Sequence, residues 1–214
     1  PTGGILRKKD LSKLVDIVEK NKLWIISDEV YEELIFSEDF ISPLEIESLA
    51  KRTVVVSSIS KSHAAPGFRS GWVFAQEDVI NKMLPLAETM LFGNQPFIAD
   101  MTAYAISNKS KPAIKMKTDY ERRAKLICKK LSKTKNIRPI MPKSGMFILI
   151  KLELKNYSDE KFSWELLRTE GIAVMPGSSF GLNGKNLIRL SLTVADNTLE
   201  KACERIDEFV RNIV

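Results

Sequence analysis

Lys61 has the surroundings that a reactive amine needs. It follows the apolar run Thr53-Val54-Val55-Val56-Ser57 and the hydroxyls of Ser58 and Ser60, at the point where a buried parallel strand would end. Arg69 stands further on, between Gly67 and Gly71, in Pro66-Gly67-Phe68-Arg69-Ser70-Gly71-Trp72. A lysine at a strand's carboxyl end, beside groups able to hold a phosphate, suits Schiff-base chemistry on a phosphorylated aldehyde. Its amine must be uncharged to attack. Asp28 and Tyr31 close a second apolar run, Leu23-Trp24-Ile25-Ile26. Arg189 lies inside the apolar segment around Ile188 and Leu190, where an arginine is costly unless it is paired.

The Ser58-to-Trp72 stretch resembles the cofactor-lysine signature of the class I/II aminotransferases, fold-type I enzymes that use pyridoxal phosphate. Other segments resemble the same family in the same order. Pro1-Thr2-Gly3 is similar to the end of its Asn-Pro-Thr-Gly turn, without the asparagine. Ser27-Asp28-Glu29-Val30-Tyr31 resembles its Asp-x-x-Tyr motif. Met175-Pro176-Gly177-Ser178-Ser179-Phe180-Gly181 and Ile188-Arg189-Leu190-Ser191 are similar to two late motifs of its small domain.

The resemblance implies a role for each residue. Lys61 would be the covalent anchor of pyridoxal phosphate and then the base that moves a proton between substrate and cofactor carbons. Asp28 would face the pyridine nitrogen and keep it protonated. Tyr31 would donate to the phenolic oxygen. Ser58 and Arg69 would hold the phosphate, and Arg189 would take the substrate α-carboxylate in a bidentate pair. Ser60 matches the phosphate position less well, and His63 reads as a packing or supporting residue. The implied reaction moves an amino group between an amino acid and a 2-oxo acid. A carbon–sulfur β-lyase of the same fold, or the aminotransferase-like domain of a transcription regulator, would use a similar frame. No arginine occurs between Arg69 and Arg122, so the distal-carboxylate arginine of aspartate-type members is not evident.

The family's chains are much longer, so the resemblance implies that about their first half would precede Pro1. That half would carry a glycine-rich phosphate turn and an aromatic residue that stacks on the cofactor. The family's sites also form at a homodimer interface. These 214 residues alone are therefore expected to bind the cofactor weakly, turn over little and expose an apolar strand edge.

Composition narrows the partners. The chain is 44% apolar and 28% charged, ordinary for a globular protein. No run approaches the roughly 18 apolar residues of a membrane span, and nothing has metal-ligand spacing. Cys128 and Cys203 fall on helical patterns and read as inert packing residues of a cytoplasmic protein. The net charge of +6 is concentrated: eleven Lys/Arg lie between Lys109 and Lys135, against Asp119 and Glu121. Tyr120, Ala124, Ile127 and Leu131 recur there at helical spacing, so the lysines read as a solvated helix face rather than a nucleic-acid surface.

The positioning elements follow from periodicity and caps. Asp10 is expected to cap a helix with Leu11, Leu14, Val15 and Val18 on one face, and Asn21 to end it. Strands are expected at 23–27, 53–57 and 71–75, with a short helical piece near 44–50. A helix from Asp78 to Leu91 should kink or break at Pro85. A long helical stretch from Phe97 to about Ser132, interrupted near Lys111-Pro112, should bridge two domains. Strands at 146–152 and 187–192, a helix at 159–170 ending at Gly171, and a last helix opened by Asn197 complete the chain. Trp24, Trp72 and Trp164 read as core or interface residues. The fold class is α/β: residues 1–100 as the later part of a cofactor-binding large domain with a mostly parallel sheet, and residues 101–214 as an interdomain helix and a smaller α+β domain.

Overall fold

The computed structural model describes residues 2–155 and 157–213; Pro1 of the opening motif lies outside the described residues. The chain divides into two compact units, Ile5–Met116 and a second that begins at Lys117 and includes residues 2–4. The division falls later than residue 100.

In the first unit, helix α1 (Lys8–Asn21) buries Leu11 and Val18 against Leu49 of the short helix α2 (Glu47–Ala50), with Leu14, Val15, Ile25, Ile41 and Ile46 packed around them. Asp10 is not the cap. It is the third helical residue, and its carboxylate reaches back to accept the backbone N–H of Arg7 at 3.2 Å. The left-handed exit falls on Lys22, because Asn21 stays helical and spends its amide on the Ile17 carbonyl.

Strands β1 (Ile25–Asp28) and β2 (Thr53–Ser58) pair in parallel, with Asp28 opposite Val56. Strand β3 (Gly71–Phe74) joins the other side of β2 antiparallel, with Gly71 opposite Ser58. The sheet is thus mixed rather than mostly parallel among the described residues. Residues 59–70 turn back at the same end of β2, whereas a parallel partner would need a crossover along the sheet.

Helix α4 (Glu77–Leu91) runs through Pro85 without a break. None of its residues is buried, so water can serve the carbonyl that Pro85 cannot. Leu86, Met90, Leu91 and Phe92 are exposed apolar residues on and just after it. Helix α5 (Pro96–Ile106) ends before α6 (Lys111–Leu131) begins. The interruption precedes Lys111 because Ser110 restarts the helix, its Oγ accepting the Ala113 N–H at 3.1 Å.

The second unit holds α6 from Lys117 onward and an antiparallel sheet. Tyr120, Ala124, Ile127 and Leu131 are all buried, as their spacing requires. The strand order is β4 (Ile137–Ile140), β5 (Phe147–Leu152), β7 (Leu187–Ser191), β6 (Met175–Pro176). Strands β4 and β6 escape a periodicity reading because they are short and carry Pro139 and Pro176, which edge positions tolerate. Helix α7 (Asp159–Glu170) ends at Gly171, which takes φ 66°. Helix α8 (Asp196–Asn212) buries Leu199, Cys203, Ile206, Phe209 and Val210, and Phe209 meets Phe162 of α7 edge-on at 5.2 Å. Asn197 does not cap α8. It lies within the first turn, its Oδ1 accepting from Thr198, while Asp196 pairs with Arg122 and Arg123 of α6.

Further pairs join Lys125 to Glu121 and Lys130 to Glu204, so part of the basic excess is matched within the unit. Trp24 and Trp164 are exposed rather than core, with Arg52 and Arg168 over their rings. Among the described residues no helix is long and apolar enough to cross a membrane.

Candidate active site

Parallel register sets the first cluster. Because Asp28 lies opposite Val56, the carboxyl ends of β1 and β2 fall at one edge of the sheet, the edge at which ligands meet open α/β sheets. Asp28 and Tyr31 leave β1 there; Ser58 and Lys61 leave β2. The Ser58–Gly71 pairing then returns Arg69 to the same strand end.

Each side chain is placed by a local cause. One Asp28 oxygen accepts the Val30 N–H at 3.2 Å, fixing the turn that leads to Tyr31. Tyr31 is half-buried, immediately before the helical turn Glu32–Leu34. Glu32 follows it; burial, with Glu29 and Glu33 close by, pushes its carboxyl above the ordinary range. Ser58 Oγ accepts the Ser60 N–H at 3.3 Å at the head of the short helix α3 (Ile59–Ser62), which carries half-buried Lys61. Ser60 itself faces this turn through its backbone.

Arg69 takes φ 52° and donates from Nη1 to the Pro66 carbonyl at 2.8 Å. Ala64, before it, takes φ 51°. Two non-glycine residues in the left-handed region cost of order 1–3 kcal/mol each, so this loop needs outside support. Gly71 is required by contact: a Cβ there would lie 2.7 Å from the Ser57 carbonyl oxygen. Gly67, within the helical turn Pro66–Phe68, needs no such explanation, since it has open space and no positive φ.

Support comes from α5 and the start of α6, which sequence reasoning missed. Ser110 Oγ donates to the Ser62 carbonyl at 2.5 Å while capping α6. Ser70 and Thr102 share a buried hydroxyl pair at 2.7 Å. His63 Nε2 donates to the Ala105 carbonyl at 3.1 Å, and Nδ1 shares a second hydrogen bond with Ser62 Oγ at 2.9 Å. His63 is therefore a supporting residue, as read from the sequence. These partners could not be found by spacing, because they lie 32 to 48 residues away.

Arg189 belongs to the second unit. It sits in β7 opposite Leu149 of β5 and Met175 of β6. Its guanidinium carbon lies 4.0 Å from the Phe147 ring centroid and 4.1 Å from that of Phe180. The two cation–π contacts meet the cost of an arginine in an apolar strand. A guanidinium carries its N–H groups in its own plane, the geometry suited to a planar anion.

The two units thus carry an amine–carboxylate–hydroxyl–arginine set at a strand end and a ring-stacked arginine on a strand. Among the described residues no group of three or more His, Cys, Asp or Glu could hold a metal ion. Cys203 is buried, which pushes its thiol up to about 11, and burial also raises Cys128. Neither is a nucleophile in this setting.

Residues 1–206 match the family model for class I and II aminotransferases. The arginine–pyruvate transaminase of Pseudomonas aeruginosa is 34% identical over 206 residues, covering 96% of this chain and 52% of that protein. The aspartate aminotransferase of Pyrococcus abyssi is 32% identical over 214 residues, covering 99% and 55%. Among solved structures, the aromatic aminotransferase of Pyrococcus horikoshii superposes with a TM-score of 0.94 at 32% identity, covering all of this chain and 58% of that one. The chain spans about half the length of the curated relatives it matches. With the family model across nearly its whole length and the fold matched throughout, the chain belongs to the class I and II aminotransferases.

Proposed function

We propose that the protein carrying this chain transfers an amino group between an amino acid and a 2-oxo acid, with pyridoxal phosphate held at the carboxyl ends of β1 and β2. The observation that carries the reading is the pair of registers, Asp28 opposite Val56 and Ser58 opposite Gly71. They gather a carboxylate, a hydroxyl, a lysine and an arginine at one sheet edge. That donor set fits the cofactor: a carboxylate for a ring nitrogen, an amine for an aldehyde, and a hydroxyl with a guanidinium for a phosphate. Pyridoxal phosphate, when bound, supplies a protonated ring able to accept the electron pair left as the substrate Cα loses its proton.

The chain's own residues do the rest. Asp28 keeps a proton on the ring nitrogen. Ser58 and Arg69 orient the phosphate, for which Arg69 must share its guanidinium with the Pro66 carbonyl. Lys61 would hold the cofactor by its aldehyde and would serve as the base that moves the substrate Cα proton. Tyr31 donates to the phenolic oxygen. Arg189 takes the α-carboxylate and fixes the Cα–H bond for cleavage.

Homodimer formation accords with the exposed apolar residues of α4 and the segment after it, where Phe92 is 94% exposed. The unpaired thiols of Cys128 and Cys203 accord with a reducing, cytoplasmic setting. The deciding assay supplies one amino acid and one 2-oxo acid to the complete protein. The expected products are the exchanged amino acid and 2-oxo acid. Pyruvate and ammonia formed without an acceptor would overturn the reading in favour of β-elimination.

A further inference from the structure

Asp159 is 4% exposed, and its carboxylate is spent on segments far from its own helix. Oδ2 accepts the backbone N–H of Ser178 at 2.8 Å, and Oδ1 that of Asn186 at 3.4 Å. Helix α7 does not need it as a cap, because Ser158 already accepts the Lys161 N–H. Burial pushes the Asp159 carboxyl up, but hydrogen bonds from Ser178 and Asn186 outweigh it and hold the group below its ordinary value. Asp159 is therefore charged and committed to these two partners.

The partners bracket the arginine's surroundings. Ser178 lies in the turn Gly177–Phe180, whose last residue stacks on Arg189. Asn186 takes φ 60° immediately before β7, the strand that carries Arg189. One buried carboxylate thus joins the ring to the strand it must meet. We propose that Asp159 is a positioning residue for Arg189, holding the Gly177–Phe180 turn so that Phe180 stays against the guanidinium and its in-plane N–H groups are presented to a ligand carboxylate. The inference rests on the reading that Arg189 receives the substrate's α-carboxylate.

Arginine modification by phenylglyoxal, mapped by mass spectrometry on the 214-residue chain, tests both statements without cofactor or turnover. Exposed Arg211 serves as the internal reference, and pyruvate as the carboxylate probe. In the native chain pyruvate slows modification of Arg189 but not of Arg211. In Asp159→Asn the Arg189/Arg211 rate ratio rises about tenfold, as expected for losing a charge-assisted hydrogen bond, and protection by pyruvate is lost. General loosening would raise both arginines together and overturn the proposal.

Phe180→Leu leaves the Asp159 bonds in place and gives the same two changes; it carries the test if Asp159→Asn does not fold. A protected native Arg189 with an unchanged ratio and unchanged protection in the variant overturns the positioning role alone. A native Arg189 that pyruvate does not protect overturns the carboxylate reading, and the proposal with it.

Discussion

His63 Nε2 lies 3.1 Å from the Ala105 carbonyl oxygen, so the turn that carries Lys61 hangs from helix α5 as well as from its own strand. The turn includes left-handed Ala64 and is followed by left-handed Arg69. Local backbone preference would not hold it in this form.

His63→Leu should therefore loosen the lysine turn. It keeps much of the side-chain volume and removes both ring hydrogen bonds, at a cost of about 1–2 kcal/mol. His63→Asn, able to restore one bond, should lie between the native chain and the leucine variant. Thermal unfolding gives the ranking, and equal stability of all three would refute the support role.

Lys61 should be the lysine that pyridoxal phosphate selects. The cofactor is added to the chain, the mixture is reduced with borohydride, and the adducts are mapped. Label should concentrate on Lys61 and be lost from that peptide in Lys61→Ala, while Asp28→Ala should weaken it. Even labelling over the exposed lysines would mean that these 214 residues do not assemble the site.

Two glycines that look alike in sequence should respond oppositely to alanine. Gly71→Ala sets a methyl 2.7 Å from the Ser57 carbonyl oxygen, which should cost about 1–3 kcal/mol through displaced backbone. Gly67→Ala meets nothing within 4 Å and should be neutral or stabilise by about 0.4–1 kcal/mol through the unfolded chain. Matched denaturation curves decide, and equal losses at both positions would contradict the contact argument.

The two units should answer acid differently. Asp159 has a folded-state value below its ordinary 3.8, so its support for the second unit is fully present above that pH and is lost as pH falls below it. Glu32 in the first unit is held above its ordinary 4.5; it opposes folding at neutral pH, and that opposition is relieved as pH falls through the raised value. Glu32→Gln should accordingly give a small gain at pH 7, below about 1 kcal/mol after solvent screening. Asp159→Asn should destabilise at pH 7 and converge on the native chain below pH 3.8. Hydrogen exchange read separately in the two units checks both signs.

Much of the frame was legible because it depends on neighbours along the chain. The apolar run before Ser58 places Lys61 at a strand end whatever lies beside it. The Tyr120, Ala124, Ile127 and Leu131 stripe determines the buried face of α6, and Gly171 supplies the left-handed residue that ends α7. The ordered motifs determined the family for the same reason: each is a short stretch whose chemistry depends on its own spacing.

Distance along the chain hid the rest. Whether β3 runs with or against β2 depends on where residues 59–70 return to the sheet, which no periodicity encodes. Pro85 reads as a breaker until α4 proves to have no buried residue. Ser110 looks like one more loop serine, yet it caps α6 and holds the Ser62 carbonyl 48 residues away. Asp159 looks like an ordinary acid in a helix's first turn; only folding brings Ser178 and Asn186 to it, across 19 and 27 residues. By itself the sequence determined which groups are available and which strand ends bear them. Tertiary structure alone decided which backbone amides and carbonyls hold them in place, because a hydrogen bond between distant residues has no signature until the chain has closed.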